Sequence, residues 1–119
     1  MRVLVDAALS RLVDGADAVV HAAGLIKARH TADFFRVNGD GTARLSAASA
    51  GKLFLLLSSL AAREPELSPY AASKQAAEGA VTVRSGPWCA VRAPAVYGPG
   101  DRETLSYFKT VERGWAPAP

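Results

Sequence analysis

The chain has one cysteine, two histidines and few aromatic side chains, and no apolar run approaches the ~18–20 residues that cross a bilayer. A single cysteine excludes an internal disulfide, and Cys89, set among Trp88, Ala90 and Val91, reads as a small buried apolar group in a reducing, cytoplasmic setting. Neither His21 nor His30 has a Cys or His at ligand spacing, so no zinc site is expected. The stretch Met1-Arg2-Val3-Leu4-Val5 is too short for the apolar core of a signal peptide. No block of one charge exists either. The fourteen Lys and Arg are scattered from Arg2 to Arg113, and a net charge of +3 without a basic stripe excludes nucleic acid as the expected partner.

What is present is an ordinary globular composition, 50% apolar and 21% charged over 119 residues, enough for one small domain. Asp6 or Ser10 is placed to begin a short helix through Leu9, Leu12 and Val13, with Gly15 ending it. Asp17 to His21 reads as a buried strand. Thr31 opens a helix that reaches about Ala50, with Gly51 as its stop. Leu53 to Ser58 is a second strand, Pro69 or Tyr70 to Val83 a second long helix, and Trp88 to Arg92 a third strand. A Gly- and Pro-rich loop from Pro94 to Gly100 precedes a last helix from about Glu103 to Arg113. Strands separated by helices of this length imply right-handed crossovers, hence an α/β fold with a parallel sheet and helices on both faces. Ligands of such sheets sit outside the carboxyl ends of the strands. Ala22 to Gly24, Ser59 and Pro94 to Gly98 all follow strands at that rim.

Tyr70-Ala71-Ala72-Ser73-Lys74 carries the most chemistry. A phenol and an ammonium at i and i+4 share one face of a helix. A phenol with an ordinary pKa near ~10 needs a shift of about three units to exchange protons near neutrality, and a fixed cation is one way to supply it. A Tyr with Lys at i+4 also arises by chance. Here the pair follows an apolar strand, Leu53-Phe54-Leu55-Leu56-Leu57, that ends in Ser58-Ser59, and this setting lifts it above accident.

Five segments in order then resemble the extended branch of the short-chain dehydrogenase/reductase family, the NAD-dependent epimerases/dehydratases. They are Asp17 to Gly24, Val37-Asn38 with Gly41-Thr42, Leu57-Ser58-Ser59, Ser68-Pro69-Tyr70 to Lys74, and Arg92 to Asp101. The resemblance implies a partial Rossmann-like, doubly wound sheet of three main strands, a bound NAD or NADP, and a small-molecule hydroxyl or carbonyl substrate. It implies that Tyr70 is the general acid/base, that Lys74 lowers its pKa and holds the nicotinamide ribose, and that Ser59 bonds the substrate oxygen, with Ser58 as runner-up. It places His21, Ala22, Ala23, Gly24, Asn38, Ser58, Tyr70, Lys74, Pro94 and Val96 along the cofactor. Small residues also pack helices on sheets, Asn38 could instead cap the helix that follows, and Pro94 could simply end a strand. Relatives commonly form dimers through the helices matching Thr31–Ala50 and Tyr70–Val83, so a homodimer is expected.

The departures from the family concern the pyrophosphate. No strand with a Gly-rich turn precedes Asp17, and Gly39-Asp40-Gly41 has Arg44 where a third glycine would stand. The strand whose terminal residue separates NAD from NADP is missing, so the preference is not readable. Met1 to Val5 is placed as a remnant of the family's third strand. The chain is therefore expected to be the middle of a longer enzyme, truncated at both ends, and to have lost catalysis on its own. The alternative is a catalytically inactive, assembly-type module of the same fold.

Overall fold

A computed structural model describes residues 2–115. It contains helix α1 (Arg2–Leu12), strand β1 (Ala18–His21), helix α2 (Thr31–Phe34), helix α3 (Gly41–Ala48), strand β2 (Leu53–Ser59), helix α4 (Pro69–Thr82), strand β3 (Trp88–Ala93) and helix α5 (Glu103–Glu112). The three strands form one parallel sheet in the order β1-β2-β3. Its register pairs Val19 with Phe54, Phe54 with Trp88, and Ser59 with Ala93. This is the α/β alternation expected of the sequence, and the crossovers run through α3 and α4.

The apolar alternation of β2 explains which face is buried. Phe54, Leu56 and Ser58 point toward α3 and α4, whereas Leu53 and Leu57 stand exposed on the opposite face. The core cluster joins Val13, Leu45, Phe54, Leu56, Ala77 and Val81, with Leu9 of α1 packed against it. Among the described residues the sheet is thus covered on one face, not on both. Because β3 is an edge strand with an open face, Cys89 is exposed rather than buried as the sequence suggested.

Two boundaries also differ from expectation. The segment from Arg2 to Val5 is the start of α1, not a strand remnant, and Asp6 and Ser10 lie inside that helix, where the Ser10 hydroxyl donates back to the Asp6 carbonyl at 3.0 Å. Met1 lies outside the described residues. The helix expected over 31–50 is continuous in path, but Phe35–Asp40 is a π-helical turn between α2 and α3. A π turn carries one more residue than an α turn and often marks a functional position. This one contains Asn38, which is buried.

At the amino end of the sheet, Gly51 (φ +80°) and Gly86 (φ +94°) meet back to back, and a Cβ on Gly86 would lie 3.0 Å from the Gly51 Cα. Only glycine allows both the left-handed backbone and this approach. Arg84 closes the same end. Its guanidinium donates to the carbonyls of Ser49, Lys52 and Pro87 at 2.7, 3.0 and 2.9 Å and lies 5.0 Å over the Phe54 ring. One side chain thereby satisfies the last carbonyls after α3 and ties them to the strand starts.

Candidate active site

The carboxyl end of the sheet holds a cleft of about 190 Å³ lined by Ala22, Gly24, Ile26, Leu57, Ser58, Ser59, Tyr70, Lys74, Ala93 and Pro94. The chain reaches it from three strands, because β1, β2 and β3 all end here. Tyr70 and Lys74 reach it from α4, whose first turn is set by Pro69 and by the Ser68 hydroxyl accepting the Ala71 N–H at 3.1 Å. The Tyr70 ring rests edge-on against Phe34, with centroids 6.2 Å apart.

The two serines differ in what they can offer. Ser58 donates its proton to Glu78 Oε1 at 2.5 Å. Ser59 instead accepts the Ala61 N–H at 3.2 Å, which caps the short 3₁₀ turn Leu60–Arg63 and leaves its own proton to give. The Lys74 ammonium donates to the Leu57 carbonyl at 2.8 Å.

Asn38 does not cap a helix. Its Oδ1 accepts the Leu25 N–H at 2.7 Å, and its Nδ2 donates to the Leu25 carbonyl at 3.0 Å and the Ser73 hydroxyl at 2.9 Å. The π turn therefore aims an amide at the loop after β1 and locks that loop to α4. A Cβ on Gly24 would meet Asn38 Oδ1 at 3.4 Å and Lys74 Nζ at 3.7 Å. A larger side chain there would push into the lysine.

His21 sits behind the cleft. The Thr42 hydroxyl gives its one proton to the Asn38 carbonyl at 2.5 Å, so it must accept from His21 Nε2–H, 3.0 Å away. Burial, and then the Lys74 charge, push the His21 pKa below its ordinary value and hold the ring neutral. Burial likewise lowers the Lys74 pKa, while the Glu78 carboxylate opposes that effect. The bidentate hydrogen bond from Arg92 holds the Glu78 carboxyl below the usual carboxylate range.

These directions set an acid limit to stability. Below the ordinary histidine pKa of 6.5 the unfolded chain takes up a proton that folded His21 refuses, so stability falls as the pH drops through that window. Glu78 adds stability that is present above the ordinary carboxylate pKa and is lost as the pH falls through its lower folded value. The urea midpoint is expected to decline from about pH 7 to about pH 5, and His21→Gln, which keeps a donor toward Thr42, is expected to flatten that stretch. An unchanged slope in the variant would mean that another group controls it.

Residues 2–113 match the NAD dependent epimerase/dehydratase family. The chain belongs to this family. It is 55% identical over 108 residues to the ceramide reductase of Caulobacter vibrioides, a match covering 89% of this chain and 34% of that protein. It thus spans about a third of the length of the curated relative it matches. Its fold is shared with the Bordetella bronchiseptica enzyme WbmH in complex with NAD+, at a TM-score of 0.76 and 21% identity over 92% of this chain and 44% of that one. It is shared too with dTDP-4-dehydrorhamnose reductase from Bacillus anthracis in complex with NADP, at a TM-score of 0.73 and 18% identity over 91% and 46% of the two chains.

Within this family frame, the residues singled out by sequence fall into three groups. Ser58, Ser59, Tyr70, Lys74, Ala22, Gly24 and Pro94 line one cleft. His21 and Ala23 border a neighbouring groove along the free edge of β1, and Asn38 stands behind Gly24. Val96 is 75% exposed and is not among the lining residues. Sequence reasoning missed Ile26 and Leu57 in the cleft wall, and it missed Glu78. The last was legible as a third polar group on the Tyr70–Lys74 helix face, again four residues on. No helix among the described residues is long and apolar enough to cross a membrane, and no cluster of His, Cys, Asp and Glu among them could hold a metal ion.

Proposed function

We propose that this chain carries the catalytic residues of an NAD(P)-dependent reductase that converts a ketone in a ceramide-class lipid to the alcohol. The observation that carries the reading is the 55% identity to a ceramide reductase across the stretch that holds Ser59, Tyr70 and Lys74. The same residues sit around a single cleft, which supports a shared site of action.

The cleft suits the nicotinamide end of the cofactor. Ala22, Gly24 and Pro94 present small or flat surfaces, and a side chain at Gly24 would fill the space beside Lys74. Among the described residues no Gly-rich turn opens a helix after a strand, so the pyrophosphate has no counterpart cradle in them. When bound, the reduced nicotinamide supplies the hydride. Lys74, anchored on the Leu57 carbonyl, would hold the adjoining ribose.

The protein's own steps concern the substrate oxygen. Ser59 donates a hydrogen bond to it and orients the ketone. Tyr70 gives the proton that turns the developing alkoxide into an alcohol. The Lys74 ammonium favours the negative charge left on the phenol oxygen. Ser58 is unsuited to the orienting role because its proton is committed to Glu78.

Reaction with NADPH or NADH and a ketone at the position of ceramide's secondary alcohol, run on the chain joined to a strand and Gly-rich turn that supply the pyrophosphate cradle, tests the reading. The expected product is two hydrogens heavier by mass spectrometry and appears in step with loss of the reduced nicotinamide absorbance. Reduction of a nucleotide-sugar ketone with none of the lipid ketone would move the substrate class elsewhere in the family.

A further inference from the structure

Glu78 has no role in the steps above, yet it is the most heavily engaged charged group beside the cleft. Its Oε1 accepts from the Ser58 hydroxyl at 2.5 Å and from Arg92 Nε at 3.0 Å, and its Oε2 accepts from Arg92 Nη2 at 2.7 Å. Ser58 and Arg92 are register partners on β2 and β3, one rung before Ser59 and Ala93. The Glu78 side chain is 13% exposed, so the carboxylate is spent on these partners rather than on water. It lies four residues beyond Lys74, on the face that also carries Tyr70.

We propose that Glu78 is the positioning residue of the site: by clamping the Ser58–Arg92 rung to α4, it fixes the Leu57 carbonyl on which the Lys74 ammonium is anchored. The proposal rests on the reading above only for what Lys74 does, not for where it stands. A lysine has four flexible methylenes, and its head goes where its acceptors are. The Leu57 carbonyl and the Ser58 nitrogen share one planar peptide, so holding Ser58 holds the acceptor. β3 is an edge strand among the described residues, and the Glu78 carboxylate joins its Arg92 and the Ser58 of β2 to α4. The carboxylate also opposes the effect of burial on Lys74. The charged or titratable groups around Lys74 are Tyr70 and Glu78 on its own helix and His21 on β1, and Arg92 faces Glu78 from β3.

Glu78→Gln and Arg92→Met remove charges of opposite sign near Lys74, so their effects on its titration differ in direction whether or not Glu78 positions the site. The positioning role is read from the Ser58 link, and the titration checks that the carboxylate faces the lysine. In the folded chain, with the Lys74 side chain observed by NMR, Glu78→Gln is expected to move the lysine titration midpoint down by at least about half a pH unit. Arg92→Met keeps the carboxylate and the Ser58 link and is expected to leave the midpoint in place or raise it. Ser58→Ala, which keeps every charge, is expected to speed exchange of the Lys74 ammonium protons with water because the anchoring peptide is released. Unchanged ammonium exchange in Ser58→Ala, or an unmoved lysine midpoint in Glu78→Gln, would overturn the proposal. Neither readout depends on turnover, so failure of the ketone-reduction reading alone would leave both intact.

Discussion

Replacing Tyr70 with phenylalanine is expected to lower carbonyl reduction by about 10²–10⁴-fold, the usual contribution of a positioned proton donor. The substitution removes one oxygen and little else. The ring keeps its edge-on contact with Phe34, and the start of α4 is set by Ser68 and Pro69, which the change does not touch. The variant should therefore unfold at nearly the same urea concentration as the parent. Nucleotide affinity should change far less than turnover, since Lys74 stays on the Leu57 carbonyl. The measurement is single-turnover oxidation of the reduced cofactor with saturating ketone, beside a nucleotide titration. Retained turnover would remove Tyr70 from the mechanism. Lost nucleotide binding would recast it as a cofactor contact.

The largest loss of stability is expected from Phe54→Ala, at about 3–5 kcal/mol. Phe54 is fully buried at the middle of the central strand, pairing with Val19 on one side and Trp88 on the other. Its ring lies 6.0 Å from that of His21 and 5.0 Å below the Arg84 guanidinium. Removing it leaves a cavity in the core cluster that joins the sheet to Ala77 and Val81 of α4. It also takes the packing surface from Arg84, whose hydrogen bonds tie the ends of α3 and α4 to the strand starts. Small domains are stable by only about 5–15 kcal/mol, so a loss of this size should shift the urea midpoint steeply. A change below about 1 kcal/mol would mean that the site repacks and that the core is looser than its burial implies.

Much of this architecture was legible in the chain because its signals are local. Gly15 and Gly51 end helices in left-handed conformations, as their places after apolar helical stretches suggested. The apolar run of β2 and the Tyr70–Lys74 spacing carry their meaning within seven residues or fewer. Other features were not readable. The π turn at 35–40 looked like plain helix, since nothing in Val37-Asn38-Gly39 encodes an extra residue in the turn until Asn38 finds Leu25 and Ser73. Arg2 to Val5 had the apolar content of a strand, yet they form the first residues of α1, the helix that packs on α3. Cys89 looked buried because its neighbours are apolar, and only the strand order shows that β3 is an edge.

The sequence by itself determined the alternation of strands and helices, the rim at which loops and reactive groups gather, and the face shared by Tyr70 and Lys74, since each follows from periods of two or 3.6 residues and from turn chemistry. Tertiary structure alone decided which serine keeps a proton to give, which carbonyl holds Lys74, and how Asn38 braces the loop after β1. Those outcomes join groups 13 to 35 residues apart, and a hydrogen bond across such a distance is chosen by how the elements pack rather than by any pattern along the chain.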